Sequence, residues 1–434
     1  MSVEVLDRMR AASLPVVYGR VHRVVGAEIE VVGMSAPMGA VLQIPTAQGL
    51  TDAEVVAVRG DSLICLPFGE TAGIETGSLC ARSKKAATIP VGPALLGRVL
   101  DGMGRPIDGL GPIAADARVS VDGSAPHPLS RPTIRQQLDL GVRAVDTLIP
   151  VGRGQRVGIF AGSGVGKSSL LSMFARGTNA SVTVLALIGE RGREVREFIE
   201  NDLGEEGLAR SIVVVSTSDE PALVRLRAAF TATRIAESFR DEGHDVLLLM
   251  DSLTRFAMAQ REVGLAAGEP PATRGYPPSV FGLLPKLLER AGTDARGSIT
   301  GLYTVLIEGD DLMDPIGDAA RSILDGHMVL SRKLATSGHF PSIDVLESIS
   351  RVAPAITTSE QRAHATMIRR LLAAYRDARD LIEIGAYVPG TNPDVDLAIS
   401  LKETMDGFLR QDLHEHTPAT DAWNQLAALV EAAG

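Results

Sequence analysis

One glycine-rich loop constrains the fold of this chain more than any other feature. Residues 161–168 read Ala-Gly-Ser-Gly-Val-Gly-Lys-Ser, which matches the phosphate-loop pattern G-x-x-x-x-G-K-[ST] except that Ala161 replaces the first glycine. A mainly apolar run, 156–160, precedes the loop, and a helical stretch follows it from Ser168. Because the pattern lies between a buried strand and a helix, it predicts a phosphate-binding loop, and a glycine turn without a ligand is the weaker interpretation.

The residue types of this loop fit the binding of a nucleoside triphosphate together with magnesium. Its glycines allow backbone N–H groups to turn inward around the β-phosphate, and the helix that follows adds its positive N-terminal end. Lys167 would place a positive charge beside the β- and γ-phosphates, and Ser168 would offer its hydroxyl to Mg²⁺. The residues predicted to bind the nucleotide through the loop are Ala161, Gly162, Ser163, Gly164, Val165, Gly166, Lys167, Ser168 and Ser169.

Two carboxylates at strand ends are the candidates for metal binding and for catalysis. An apolar strand ends in Asp251, which would lie beside the loop at the carboxyl edge of the sheet and hold Mg²⁺ through water. Its alternative role is to cap the next turn. Glu190 follows the strand 182–188, where it could orient or deprotonate the water that attacks the γ-phosphate. From the residues alone, a loop salt bridge among Glu190, Arg191 and Arg193 remains open.

The hydrophobic pattern divides the chain into three parts. Residues 1–90 contain short β segments separated by Gly, Pro and Asp, which predicts an all-β barrel. Residues 91–358 begin with a linker and then alternate apolar strands with helices, which predicts an α/β domain with a parallel sheet covered on both faces. Residues 359–434 have the three-to-four spacing of amphipathic helices, which predicts an α-helical domain.

Composition excludes several other classes of protein. Lys and Arg total 43 against 53 Asp and Glu, a net charge of −10, and aromatic residues make up 4%, so both quantities weigh against nucleic-acid binding. The only cysteines, Cys65 and Cys80, are interpreted as free thiols in a reducing compartment. Without an apolar leader or a run long enough to span a bilayer, the chain is expected to be cytoplasmic.

Five long motifs together resemble those of one enzyme family. They are the loop 161–168 and the segments 189–194, 251–256, 268–279 and 347–351. This combination resembles the flagellar and type III secretion export ATPases, which are relatives of the catalytic subunits of rotary ATPases. The resemblance implies that the central domain is RecA-like and that ATP and Mg²⁺ bind there.

The resemblance also implies roles for residues around the phosphates. Glu190 matches the catalytic carboxylate of the family, and Arg191 and Arg255 match arginines that line the phosphate site. Lys167 of the loop is expected to be catalytic as well. Ala161 is usual in the export branch and departs from the pattern of the rotary catalytic subunits.

Three more distant residues complete the implied site. Arg351 matches an arginine finger that is donated into the site of a neighbouring subunit, although without the family it reads as a surface arginine. Phe340 matches an aromatic residue that stacks on adenine, with core packing as the alternative. Tyr387 is the candidate for a second residue flanking the base.

The function implied by the resemblance is Mg²⁺-dependent ATP hydrolysis that energises the export of flagellar proteins through a type III secretion apparatus. The family implies a homohexamer at the cytoplasmic face of the inner membrane. Its implied partners are the export gate, a central stalk, a regulator and chaperone–substrate complexes, with no nucleic acid. The segment 385–393 favours the flagellar system over the injectisome, which remains the first alternative.

Three other functions compete with this hypothesis. A rotary ATP synthase catalytic subunit would carry an acidic segment in the C-terminal domain, and none is evident in the sequence. A hexameric RNA translocase would need stacking aromatics in its barrel, but residues 1–90 contain only Tyr18 and Phe68. A non-catalytic ring subunit is disfavoured by the presence of Glu190.

Overall fold

The computed structural model describes most of the chain as two compact units. The described residues are 17–47, 49–83, 88–307 and 314–432. The smaller unit contains those up to 83 together with 220–224 and 259–278, and the larger unit contains the others. Parts of the predicted barrel and helical domain lie outside the described residues: 1–16, 48, 84–87 and 433–434.

Six antiparallel strands of the smaller unit close into a barrel, which confirms the predicted fold of this part. In order around the barrel they are Tyr18–Val25, Glu28–Val32, Ser62–Pro67, Gly49–Arg59, Val41–Thr46 and Leu79–Arg82. Side chains alternate between interior and surface, so that Ile29 and Val31 are fully buried while their neighbours are not. Cys65 and Cys80 are buried free thiols, and burial raises the pKa of Cys65 to about 12.

Other parts of the smaller unit come from later in the sequence. The segment 268–279, one of the family motifs, contains a 3-10 turn at Thr273–Gly275. Arg59 of the barrel donates a hydrogen bond to the carbonyl of Ala266, and its guanidinium lies against Gly268. This later segment is therefore attached to the barrel.

A mostly parallel sheet forms the centre of the larger unit. In spatial order its strands are Ile343–Ser350, Gly326–Leu330, Arg156–Ala161, Ser298–Leu306, Asp245–Asp251, Val182–Glu190, Ser211–Thr217 and Val99–Asp101. Only Ile343–Ser350 in this series pairs antiparallel. Gly292–Thr293 adds a short antiparallel strand beside Ser298–Leu306. The central strands are buried almost throughout, because helices cover both faces, as predicted.

The edge strand Val99–Asp101 of this sheet differs from the sequence-based prediction. The sequence indicates a linker with turns over 92–111, but Val99–Asp101 pairs parallel with Ser211–Thr217 at the edge of the sheet. Three residues are too short for a periodic signal, so only tertiary pairing reveals the strand. Arg98 fixes the following loop by an ion pair to Asp108, with 2.7 Å between Nε and Oδ2.

Shorter elements complete the β structure of the larger unit. Thr88–Val91 pairs with Ala117–Ser120, and Gln137–Leu138 pairs with Val151–Gly152. Two 3-10 turns lie at Pro93–Leu95 and Pro128–Ser130. The helices before residue 359 are Arg143–Leu148, Lys167–Gly177, Gly192–Glu197, Phe198–Leu203 (π-helical), Gly204–Ala209, Ala222–Asp241, Leu253–Ala266, Pro278–Leu288, Pro315–Ile323, Arg332–Thr336 and Ala353–Ile356.

The C-terminal part is helical, as the spacing predicts. Its helices are Ser359–Glu383, Pro393–Ser400, Lys402–Leu409 and Ala419–Glu431. The first begins with a capping box between Thr358 and Gln361 and buries Ile368 and Leu371. Trp423 donates its indole N–H to Oε1 of Gln137, so these helices pack on the α/β core. Within the described ranges, no helix combines the length and the apolar character needed to cross a membrane.

Candidate active site

The phosphate loop connects the end of a central strand to the start of a helix. The strand Arg156–Ala161 ends at the loop, and the helix Lys167–Gly177 begins directly after it. Gly164 and Gly166 have φ values of +75° and +90°, a left-handed conformation that favours glycine. No side chain caps the helix N-terminus, so its first N–H groups point to a place where an anion would satisfy them.

Side chains from outside the loop hold its backbone in place. Ser342 donates a hydrogen bond to the carbonyl of Val165 over 2.6 Å, and Arg332 donates to the carbonyl of Ser163 over 3.2 Å. The N–H of Ile307 also bonds to the carbonyl of Ala161. Three of the loop's carbonyls are therefore held by the surrounding domain.

Three predicted residues meet at the carboxyl edge of the sheet. Nζ of Lys167 forms an ion pair with Oδ1 of Asp251 and lies 3.5 Å from Oε1 of Glu190. Parallel pairing explains the meeting, because the strands that end in Asp251 and Glu190 are neighbours. The site thus combines one cation with two carboxylates at the start of the loop helix.

The electrostatics of this cluster perturb two pKa values. Burial raises the pKa of Glu190 to about 7; the charge of Lys167 opposes this shift and that of Asp251 adds to it. Burial alone would lower the pKa of Lys167, but the charges of Asp251 and Glu190 outweigh burial and raise it. Glu190 therefore has the pKa of a group that can exchange a proton near neutral pH.

The donor set fits a magnesium ion that is held jointly with a nucleotide. Asp251 is buried and offers a carboxylate, and Ser168 lies in the first turn of the loop helix with a hydroxyl. Among the described residues, no three His, Cys, Asp or Glu side chains form a metal cluster. Mg²⁺ does not need one, because it is commonly bound by one or two carboxylates, substrate phosphates and water.

The two arginines predicted near the phosphates differ in placement. The Arg255 side chain lies against Gly189, where an added Cβ would come within 2.9 Å of Cβ of Arg255. Its Nε is buried without a hydrogen-bond partner among the described residues. Arg191 is exposed and pairs with Glu194 over 3.1 Å. The alternative salt bridge from Glu190 to Arg191 and Arg193 is not observed, and Glu190 faces Lys167 instead.

A cavity of 550 Å³ opens on the other side of the loop helix. The Phe340 ring lies beside Gly166, and a Cβ added to Gly166 would be 3.6 Å from two of the ring carbons. Phe340 is 47% exposed rather than packed in the core. The residues lining the cavity are Gly166, Ser169, Leu170, Met173, Gly338, Phe340, Pro341, Arg410, Gln411, Asp412, Leu413 and Glu415. A largely apolar cavity with an exposed aromatic ring can receive a nucleobase.

One wall of this cavity, 410–415, comes from the C-terminal part and is held by a buried arginine. Arg143 donates hydrogen bonds to the carbonyls of Phe408 and Arg410 and forms an ion pair with Glu415. The Gln411 amide donates to the carbonyl of Gly141 over 2.7 Å. Arg143 therefore joins the helix Arg143–Leu148 to the wall of the cavity.

The structure does not bring Tyr387 and Arg351 into this cluster. The Tyr387 hydroxyl is 3.0 Å from Oδ1 of Asp396, and Tyr387 is not among the residues lining the cavity. Arg351 is exposed and donates to the carbonyls of Leu324 and Arg321, at the end of the helix Pro315–Ile323. The predicted stacking of Tyr387 on the base gains no support from these contacts.

Sequence reasoning missed three features of the site. Thr304 donates a hydrogen bond to Asp251, Ser342 holds the loop, and the segment 410–415 forms a cavity wall. Thr304 carried a usable signal, because it stands at the carboxyl end of a strand in the same sheet as Asp251. The other two depend on contacts between residues more than 170 positions apart, which no local pattern reveals.

Two family models match the chain. Residues 141–350 match the nucleotide-binding domain of the ATP synthase alpha/beta family. Residues 357–428 match the C-terminal domain of the type III secretion ATPase EscN. The first match contains the phosphate loop and both carboxylates, so this domain binds nucleotide.

Characterised relatives match the chain over nearly its whole length. The flagellum-specific ATP synthase of Pseudomonas aeruginosa is 51% identical over 96% of this chain and 94% of the relative. The flagellum-specific ATP synthase of Bacillus subtilis is 50% identical over 95% of this chain and 95% of the relative. The type 3 secretion system ATPase of Xanthomonas euvesicatoria is 51% identical over 91% of this chain and 90% of the relative.

Solved structures agree with these matches. The assembled ATPase EscN from the type III secretion system of enteropathogenic E. coli superposes with a TM-score of 0.90 at 46% identity, over 95% of this chain and 100% of that one. EscN in complex with its central stalk EscO gives a TM-score of 0.88 at 45% identity, again over 95% and 100%. Over nearly its whole length, this chain is about 50% identical to flagellum-specific ATP synthases and a type 3 secretion system ATPase. The chain therefore belongs to the family of flagellar and type III secretion export ATPases.

Proposed function

We propose that this protein hydrolyses Mg²⁺-ATP to energise the export of flagellar proteins through a type III secretion apparatus. The observation that carries the proposal is the placement of Glu190, whose pKa is about 7, 3.5 Å from the lysine of a phosphate loop. An acid of this kind beside the γ-phosphate position can orient and deprotonate an attacking water.

The loop and its neighbours would bind and polarise the triphosphate. The amides of residues 162–168 and the helix N-terminus would surround the phosphates, and Lys167 would leave its ion pair with Asp251 to contact them. Ser168 and Asp251 would hold Mg²⁺, which neutralises charge on the phosphates when it is bound. Glu190 would then take a proton from the water as the bond to phosphorus forms.

Arginines would stabilise the charge that accumulates on the transferred phosphoryl group. Arg255 is suited to this role because its buried Nε has no partner within the described residues. Arg191 would line the phosphate site from its exposed position. Arg351 lies on the surface, and among the described residues its guanidinium bonds to backbone carbonyls alone, so we assign it to the site of a neighbouring copy in a homohexamer.

The nucleobase would bind in the cavity beside Phe340. Its ring lies next to Gly166, so a triphosphate held by the loop would bring the base toward it. Tyr387 stays a proposed second residue flanking the base. The domain limits 1–90, 91–358 and 359–434 are likewise proposed.

The proposed assembly lies at the cytoplasmic face of the inner membrane as a peripheral complex. EscN, similar over its whole length, has been solved in an assembled form and with its central stalk EscO. We propose a corresponding stalk for this chain, with the export gate, a regulator and chaperone–substrate complexes as further partners. The match to the EscN C-terminal domain model favours the export branch over a rotary ATP synthase catalytic subunit.

The test is to replace Glu190 by Gln in the purified protein. Glu190→Gln removes the base but keeps the size and the polar character of the side chain. Turnover of Mg²⁺-ATP is expected to fall by about 10²- to 10⁴-fold while ADP affinity stays within about twofold. Near-normal turnover in Glu190→Gln would contradict the assignment, and the exposed Glu200→Gln serves as the matched control.

The injectisome is the second candidate system, because the relatives include ATPases of both systems at about 50% identity. Deleting the gene in its own bacterium distinguishes the two. Loss of hook and filament proteins from the culture medium supports the flagellar system, and loss of secreted effectors with flagella intact supports the injectisome.

A further inference from the structure

One buried hydroxyl contacts the carboxylate that would hold magnesium. Oγ1 of Thr304 lies 2.7 Å from Oδ1 of Asp251, and Thr304 is fully buried. The same hydroxyl is 3.4 Å from the carbonyl of Met250. A hydroxyl has one proton to donate, and the shorter contact to a charged acceptor takes it.

The sheet explains why these two groups meet. Thr304 lies on the strand Ser298–Leu306, which pairs parallel with Asp245–Asp251 in a register that sets Met250 opposite Tyr303. Asp251 follows Met250 on one strand, and Thr304 follows Tyr303 on the other. The contact is therefore fixed by backbone pairing rather than by a mobile loop. Side chains held by paired strands keep a defined geometry.

The two carboxylate oxygens of Asp251 differ in their hydrogen bonding. Lys167 and Thr304 both donate to Oδ1. Among the described residues, none donates a hydrogen bond to Oδ2. Once Lys167 has turned to the phosphates, Thr304 is the donor that still orients the carboxylate, with Oδ2 available for the metal or its water.

We infer that Thr304 is a positioning residue for the magnesium-binding carboxylate Asp251. The inference rests on the proposed function, because it presupposes that Asp251 binds Mg²⁺. Loss of a hydrogen bond to the metal-binding carboxylate should lower metal affinity more than nucleotide affinity, since Thr304 contacts Asp251 and does not belong to the phosphate loop.

The experiment compares Thr304→Val, which removes the hydroxyl at nearly constant volume, with Thr304→Ser, which retains it. ADP affinity is measured by titration calorimetry with Mg²⁺ and with EDTA, and Mn²⁺ binding to the ADP complex is measured by electron paramagnetic resonance. For Thr304→Val we expect about tenfold weaker Mn²⁺ binding and a smaller gain in ADP affinity from Mg²⁺. ADP affinity in EDTA stays within about twofold of wild type, and Thr304→Ser restores the metal affinity.

Thr300→Val is the matched control. Thr300 is buried on the same strand, and its hydroxyl accepts a hydrogen bond from Gly154 over 2.9 Å, so the variant loses a comparable bond away from Asp251. An equal loss of Mn²⁺ affinity in Thr300→Val would overturn the inference, because it would show a general effect of loosening the strand. Wild-type metal affinity in Thr304→Val would overturn it directly.

Two further measurements keep the outcomes distinct. In an Asp251→Asn background, Thr304→Val should cause no additional loss of Mn²⁺ affinity, and an independent loss contradicts the inference. If Thr304→Val does not fold, Thr304→Cys, a weaker donor, replaces it with the same expected direction. If Mg²⁺ fails to strengthen ADP binding in the wild type, the proposed metal site itself is wrong, whereas an unchanged effect of Mg²⁺ in Thr304→Val refutes only the role of Thr304.

Discussion

At the scale of single residues, Glu190 connects the structure to a pH dependence. Burial raises its pKa to about 7, and the nearby charge of Lys167 opposes this shift without cancelling it. A carboxyl group in this condition is protonated in mildly acidic solution and ionised in mildly basic solution. Only the ionised form can accept a proton from water.

Turnover is therefore expected to fall as pH decreases through about 7. Below the pKa, the rate should decrease close to tenfold for each pH unit. This pH dependence should be absent from the residual activity of Glu190→Gln. Measurements of kcat/KM for Mg²⁺-ATP between pH 5.5 and about pH 9 test this, because kcat/KM reports the pKa values of the enzyme without bound nucleotide. A rate that stays constant down to pH 5.5 would show that Glu190 is not the base whose ionisation limits turnover.

The same pKa determines how Glu190 affects folding stability. A carboxyl whose folded pKa lies above its unfolded value of 4.5 favours the folded state only while it is protonated, so its contribution decreases as pH rises from about 4.5 to about 7. Glu190→Gln removes this pH-dependent loss. The melting temperature of the variant should thus exceed that of the wild type by more at pH 8 than at pH 5.

At the scale of elements, the segment 410–415 and the helix Arg143–Leu148 act together. Arg143 bonds to two carbonyls near this segment and to Glu415, so the position of the cavity wall depends on one buried guanidinium. Residues of the C-terminal part thereby take part in a site whose chemistry belongs to the α/β core.

Arg143→Met should weaken ATP binding without affecting inorganic tripolyphosphate. In the proposed binding mode, ATP would contact both the cavity wall and the phosphate loop, whereas tripolyphosphate would contact only the loop. We expect about three- to tenfold weaker ATP binding by calorimetry and a change within about twofold for tripolyphosphate.

Arg369→Met is the control for this comparison. Arg369 also joins a C-terminal helix to the core, through the carbonyls of Ser348 and Leu148, but it does not line the cavity. Equal losses for both ligands in Arg143→Met would show that it supports the whole domain rather than the base-binding wall.

The elements also show which parts of the site the sequence could predict. Lys167, Glu190 and Asp251 were predictable because each follows an apolar strand, and parallel strands bring their carboxyl ends to one edge. The cavity wall was not, since Arg143 and the carbonyl of Arg410 are 267 positions apart and meet only by packing. Likewise, Val99–Asp101 has too few residues to show a period, and only its pairing partner makes it a strand.

At the scale of the whole molecule, the exposed Arg351 has a consequence for assembly. Its guanidinium bonds to the carbonyls of Arg321 and Leu324 at a helix end, which fixes its position but leaves it on the surface. In the proposed ring, each active site would combine the phosphate loop of one copy with the arginine of the next. An intact site of this kind can form between two copies that carry different inactivating substitutions.

Mixing two inactive variants tests this arrangement. Arg351→Ala is expected to lower the turnover of assembled rings by about a hundredfold or more, and Lys167→Ala to abolish it. In an equal mixture, about one site in four has an intact loop from one copy and an intact arginine from the next, so part of the activity should return. Rings that form in the mixture without regaining activity would exclude a finger donated in trans.

The packing of Trp423 has a practical consequence for studying the enzyme. The chain contains one tryptophan, and its indole N–H bonds to Gln137 where the last helix meets the α/β core. All of the intrinsic indole fluorescence thus originates at that junction. The unlabelled protein carries its own spectroscopic reporter for the docking of its C-terminal helices during a catalytic cycle.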